Sequence, residues 1–211
     1  MSNSVDNHAP PVLGEEDASL VSDEILLRLW NQVQQDPQTD NVALNNFWLH
    51  LYAKHLFPGK QWIVGVENGT FDIEPPKKDL TVQFLGHTGP QALFFHMHKG
   101  KEATRDDLIE VETQALVACL AYLTANPGIT KVYAVTSFGA RARIWCCGPK
   151  SMSLEPLFGS YDLADASAYV EAHSSEAITL RRGFADMKRF APVARRGINH
   201  GSGSPASSRR N

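Results

Sequence analysis

The chain has 211 residues, 43% hydrophobic and 20% charged, which gives room for one core of ordinary size and enough apolar surface to offset the entropy of ordering it. A formal charge of -3 and a pI near 6.2 exclude a general electrostatic attraction to phosphate backbones or anionic lipid, so any nucleic-acid contact needs a local patch. Three cysteines, two of them adjacent as Cys146-Cys147, give neither a disulfide framework nor a CxxC zinc pair. With no basic-then-apolar leader and no run approaching the ~18 apolar residues of a membrane span, a reduced cytoplasmic or nuclear setting with no membrane is expected.

Residues 1–17 (MSNSVDNHAPPVLGEED) mix Pro, Asn, Ser and acids without apolar periodicity, and 193–211 is rich in Gly, Ser and Arg. Both read as disordered tails around one domain spanning 18–192. Ser22 or Asp23 is placed to cap a helix carrying Ile25, Leu26, Leu27, Leu29 and Trp30, which runs out before Pro37. Asp40 is placed to cap a second helix, with Leu44, Trp48, Leu51 and Leu56 at helical spacing and Pro58-Gly59 as its stop. The period then changes. Trp62–Val66, Leu80–Leu85 and Ala92–Phe95 are short β-rich runs joined too briefly for parallel crossovers, so they read as an antiparallel meander. Thr104 and Asp107 form a capping box for a helix with the face Leu108, Val111, Ala115, Cys119 and Tyr122, closed by Asn126-Pro127-Gly128. Lys131–Thr136 and Arg141–Cys146 then flank a Ser-Phe-Gly turn as a hairpin, and further helix is expected at about 164–172 and 175–190.

The resulting α/β (α+β) order is helix, three-strand meander, helix, strand hairpin and C-terminal helices. Through KKDLTVQFLG, ALFFHMHKG, VETQALVACLAYL and VYAVTSFGARARIW, between about Phe47 and Trp145, the chain resembles a group of fungal proteins with the PD-(D/E)XK, restriction-endonuclease-like core. The resemblance implies an Asp opening the second strand, matched by Asp79, and a Glu-x-Lys or Asp-x-Lys triplet on the third. In that family the acid holds Mg²⁺ and the Lys assists the nucleophile. Here the expected place of the triplet reads His96-Met97-His98, with neither charged residue. Because side chains two apart on a strand share a face, the pair would point together into the site, and Lys99 would fall on the other face unless a bulge intervened. Imidazole suits zinc, iron, copper or nickel rather than Mg²⁺.

Several functional readings follow. Asp79, His96 and His98 form a candidate two-histidine, one-carboxylate divalent metal set, and Glu67 is a further acid for residual nuclease chemistry. His96-x-His98 followed by Glu102 imitates a cupin metal motif, although too few strands are present for that barrel. Gln114 matches the glutamine that relatives of this core carry on the following helix. Glu110 and Glu112 are expected as surface charges flanking the apolar stripe. Arg141 and Arg143 alternate on the last strand as candidate phosphate contacts, or as exposed edge arginines. With Arg181-Arg182, Arg195-Arg196 and Arg209-Arg210 they allow weak, salt-sensitive nucleic-acid contact. No GxSxG elbow, GxGxxG or P-loop is present. The leading expectation is a non-catalytic or weakly catalytic protein on a nuclease-like scaffold. The alternatives are a metal-dependent nuclease or other metal-dependent enzyme using Asp79, His96 and His98, and an accessory protein of a fungal secondary-metabolite pathway.

Overall fold

Seven strands and four α-helices are arranged around one mixed sheet in the computed structural model, which describes residues 18–35, 41–68, 78–87, 89–189 and 191. The two expected tails and the Asp40 cap lie outside the described residues, as do the side chains of Glu67 and Asp79.

Helix α1 (Glu24–Gln35) starts where the sequence places it, because the Asp23 carboxylate accepts the Leu26 amide at 2.9 Å. Helix α2 (Asn41–His50) passes directly into a π-helical turn, Leu51–Leu56, and stops before Pro58. The wider turn keeps Leu51, Tyr52 and Leu56 buried together, and one-turn π segments are often found at functional positions.

The meander follows as expected. Strands β1 (Trp62–Asn68), β2 (Lys78–Gly86) and β3 (Gly89–Lys99) pair antiparallel in sequence order. The third strand is longer than its apolar run, and it takes in His96, Met97, His98 and Lys99. Its ladder with β2 shifts register at Val82/Gln83. Helix α3 (Arg105–Ala125) carries the expected capping box: the Asp107 amide donates to Thr104 Oγ1, and the Asp107 carboxylate accepts the Thr104 amide. It crosses over to β4 (Val132–Phe138), which pairs parallel with β3, and β5 (Arg141–Cys147) returns antiparallel. The hairpin is tighter than the sequence suggests. Ser137 and Phe138 belong to β4, and the turn is Gly139-Ala140, with Gly139 at φ +55°. Two-residue strands β6 (Glu155–Pro156) and β7 (Val170–Glu171) both pair with β5, and α4 (Ile178–Arg189) ends the described fold.

The helix expected at 164–172 is absent. A single 3₁₀ turn at Ala166–Ala168 and strand β7 stand there instead. Asp165 accepts from the Ser167 amide and from the hydroxyls of Ser160 and Ser167, which gives the segment a local alternative to helix, and pairing with β5 draws the following residues out straight. Helix at 175–190 is present as a 3₁₀ turn, Ser175–Ala177, leading into α4.

Two cores lie on the two faces of the sheet. One joins α1, α2, the π turn and α4 to Leu80, Val82, Phe94, Val135 and Ile144, and it buries Phe47, Trp48, Tyr52, Phe57 and Phe184 completely or nearly so. The other joins α3 and the 154–169 segment to Met97, Ala134, Trp145 and Cys147. Each large side chain removed from water contributes about 1.5–3 kcal/mol, so the aromatic side is the heavier anchor. By length and composition α3 is apolar enough to cross a bilayer, where the sequence reading expects no such stretch; here Leu108, Val111, Ala115, Cys119 and Leu123 are packed in the core beneath it.

Candidate functional site

Two polar constellations and one surface cluster occupy the region around β3, and the alternation of that strand sorts them. From Phe94 to Lys99 the pairing with Tyr133 to Phe138 is unbroken, so no bulge separates these residues. His96 and His98 therefore share one face, and Met97 and Lys99 share the other.

His96 lies on the aromatic face, fully buried. Its Nδ1 is 3.0 Å from the Tyr52 hydroxyl and its Nε2 is 2.8 Å from Ser137 Oγ. The Trp48 ring meets it edge-on at 5.0 Å, and the His98 ring lies 5.7 Å away. Trp48 is itself fixed by its indole N–H, which donates to the Gly139 carbonyl at 3.2 Å. Burial, with His98 adding to it, pushes the His96 pKa well below the ordinary histidine value, and burial pushes the Tyr52 phenol well above its own. The chain Tyr52, His96, Ser137 is thus a neutral relay. A serine 2.8 Å from an imidazole has the spacing of a nucleophile and its base. However, Ser137 and His96 are both 0% exposed, so no substrate reaches them in this arrangement.

Of the expected set of Asp79, His96 and His98, the two histidines are neighbours on one face of β3, with Leu80 of β2 opposite His96; the Asp79 side chain lies outside the described residues. Both ring nitrogens of His96 are engaged, which leaves it no lone pair for a metal while those bonds stand. Among the described residues, no cluster of three or more His, Cys, Asp and Glu side chains is arranged to hold an ion.

On the α3 face, Lys99 emerges beside the first turns of the helix. Its ammonium lies 2.7 Å from a Glu110 carboxylate oxygen and 3.6 Å from Asp107. The Gln114 amide donates to the other Glu110 oxygen at 2.8 Å. The Lys99 side chain is only 15% exposed although its partners are open to solvent, so its cation is held close against the protein. The Asp107 carboxyl is held below its ordinary range, first by the bonds it accepts from Thr104 and then by Lys99. Met97, two residues earlier on the same face, is 4% exposed among α3 residues that include Leu108 and Val111.

Beneath α3 lies the second polar constellation, which sequence reasoning missed. Glu112 is not a surface charge but 2% exposed, and Arg143 is neither a phosphate contact nor an exposed edge residue but fully buried. Glu112 accepts from the Ala164 amide at 2.8 Å and from the Tyr169 hydroxyl at 2.8 Å, with an Arg143 nitrogen 3.9 Å away. Arg143 donates to the carbonyls of Asp162, at 2.9 Å, and Ser160, and its guanidinium lies 4.0 Å from the centre of the Trp145 ring. Thr136 links the network by accepting from the Trp145 indole at 2.8 Å and meeting the Tyr169 hydroxyl at 2.9 Å. Desolvation dominates Glu112 and raises its pKa, because the guanidinium is turned towards the loop carbonyls rather than closed on the carboxylate. Arg143 thus ties the 160–165 loop to the sheet. Arg141 is exposed, with Glu171 at 3.8 Å.

Comparison of the chain with protein-family models, with curated proteins and with solved structures finds no match.

Proposed function

We propose that the chain is a restriction-endonuclease-like core that works by recognition rather than by metal-dependent cleavage, and that its altered triplet is Met97-His98-Lys99. The observation that carries this is Lys99 on the α3 face, two residues after Met97, with its ammonium 2.7 Å from Glu110 and Gln114 bonded to the same carboxylate. Placing the triplet one residue later than the sequence suggests supplies the lysine of the family pattern. It also brings Gln114 to the same side of the sheet. The residue left in the acid position is Met97.

That substitution supports a non-catalytic reading. A thioether is neutral and soft and does not hold Mg²⁺, which requires carboxylate, carbonyl or water oxygens. Lys99 has its charge matched by α3 carboxylates, with Glu110 at 2.7 Å and Asp107 at 3.6 Å, so its ammonium is engaged with the helix rather than with a metal-bound water. The order α, β, β, β, α, β, β, with β4 parallel to β3, supports the same scaffold.

The test is a cleavage assay on supercoiled DNA, single-stranded DNA and RNA with Mg²⁺ or Mn²⁺, comparing the full chain with Lys99→Ala and with His96→Ala/His98→Ala. The expected result is no cleavage that any of these substitutions removes. Metal-dependent cleavage lost in Lys99→Ala would make the chain an enzyme at this site, and loss in the histidine pair alone would return the chemistry to the aromatic face.

A further inference from the structure

We infer that the cleft between the end of the π turn, the open ends of β1 and β2, and the last turn of α4 binds a small hydrophobic anion, a carboxylate or sulfonate carried on an acyl or aromatic body. The cleft encloses about 600 Å³, within the roughly 300–1,000 Å³ typical of small-molecule sites. Its apolar wall includes Leu56, Pro58, Trp62 and Phe84. Trp62 and Phe84 face each other across the β1–β2 ladder with ring centres 5.3 Å apart, and the buried Phe57 backs Trp62 at 5.1 Å, so the two aromatic rings of the wall are edge-packed in place.

Charge enters from one side only. Lys188 and Arg189 close the cleft from α4, and among the described residues no carboxylate lines it. Among the described residues neither cation has an acidic group within ion-pair distance; Lys188 instead rests over the Phe57 ring at 4.9 Å. Burial, and Arg181 nearby, draw the Lys188 pKa below its ordinary value, so a partly desolvated cation stands beside like charge. A bound anion supplies the missing counter-charge, and an apolar body fills the ring-lined space. The cleft lies at the Trp62 end of β1, whereas Glu67 and its partner Asp79 lie at the other, so it is independent of the proposed triplet.

The test uses the full chain with two probes, 8-anilinonaphthalene-1-sulfonate by fluorescence and decanoate by calorimetry, with decanol as the neutral control. One saturable site is expected for each anion, with decanol weaker than decanoate. Lys188→Gln/Arg189→Gln should bind both anions about tenfold less tightly, the loss of a charge-assisted contact. Circular dichroism checks that the variant is folded, and in Trp62→Phe the decanoate-induced change in tryptophan emission should be lost. Absence of saturable binding, equal affinity in the double variant, or decanol binding as well as decanoate would each overturn the inference.

Discussion

Replacing Glu112 by Ala should destabilise the chain far more than its place in a helical run of charged residues suggests. Three things are lost together: the acceptor of the Ala164 amide, the acceptor of the Tyr169 hydroxyl, and the charge that offsets a guanidinium 3.9 Å away. Each buried donor left unmade costs about 1–3 kcal/mol, and breaking a buried ion pair from one side costs about 3–5 kcal/mol. These overlap, since the effects of residues in one network do not add, so the expected loss is about 3–5 kcal/mol in all. At about 2–4 °C per kcal/mol for a chain of this size, the melting temperature should fall by about 6–20 °C. Urea and thermal unfolding followed by circular dichroism would measure it, with the exposed Glu102→Ala as control. A Glu112→Ala loss under about 1 kcal/mol, or no different from the control, would refute the account of this network.

Three further outcomes are expected. His96 has a folded-state pKa well below the 6.5 of the unfolded chain, so the unfolded state binds the extra proton first; its contribution to stability is present above about pH 6.5 and is lost as pH falls towards the folded value. Unfolding free energy measured across pH 4–8 should show this slope, and His96→Gln should flatten it. Thr104→Ala removes the Asp107 amide's acceptor at the start of α3 and should cost about 1 kcal/mol in urea unfolding, whereas Thr104→Ser should cost little. Gly139→Ala places a Cβ at φ +55° and 3.2 Å from the Lys101 backbone, and should cost about 1–2 kcal/mol or more, with a loss near zero showing that the turn relaxes freely.

Much of the architecture was legible because local signals and tertiary structure agree. Thr104 with Asp107, Asp23, and the change of period at Trp62 each name an element boundary that the structure keeps. The site was legible only in part, and the reason is geometric. A strand has two faces, and alternation says that His96 goes with His98 and Met97 with Lys99, but it cannot say which face α3 will cover. The burial of Glu112 carried a signal that was available: it stands four residues after Leu108 and three before Ala115, on the stripe rather than beside it. Arg143 likewise shares its strand face with Trp145 and Cys147, both buried. In the missed 164–172 region the local signal was the Asp165-Ala166-Ser167 turn, whose side-chain bonds compete with helix, while the pairing of Val170 and Glu171 with β5 is a long-range contact that no local pattern announces.

Met97 is proposed to stand where nucleases of this core carry a metal-holding acid. Calorimetric titration of Mn²⁺ and Mg²⁺ into the wild type and into Met97→Glu tests it directly, with His96→Ala/His98→Ala alongside and circular dichroism to establish that each is folded. The wild type is expected to bind no metal stoichiometrically and Met97→Glu to gain a single site, unaffected when the two histidines are also replaced. Stoichiometric binding by the wild type that His96→Ala/His98→Ala abolishes, or a folded Met97→Glu that binds no metal, would contradict it.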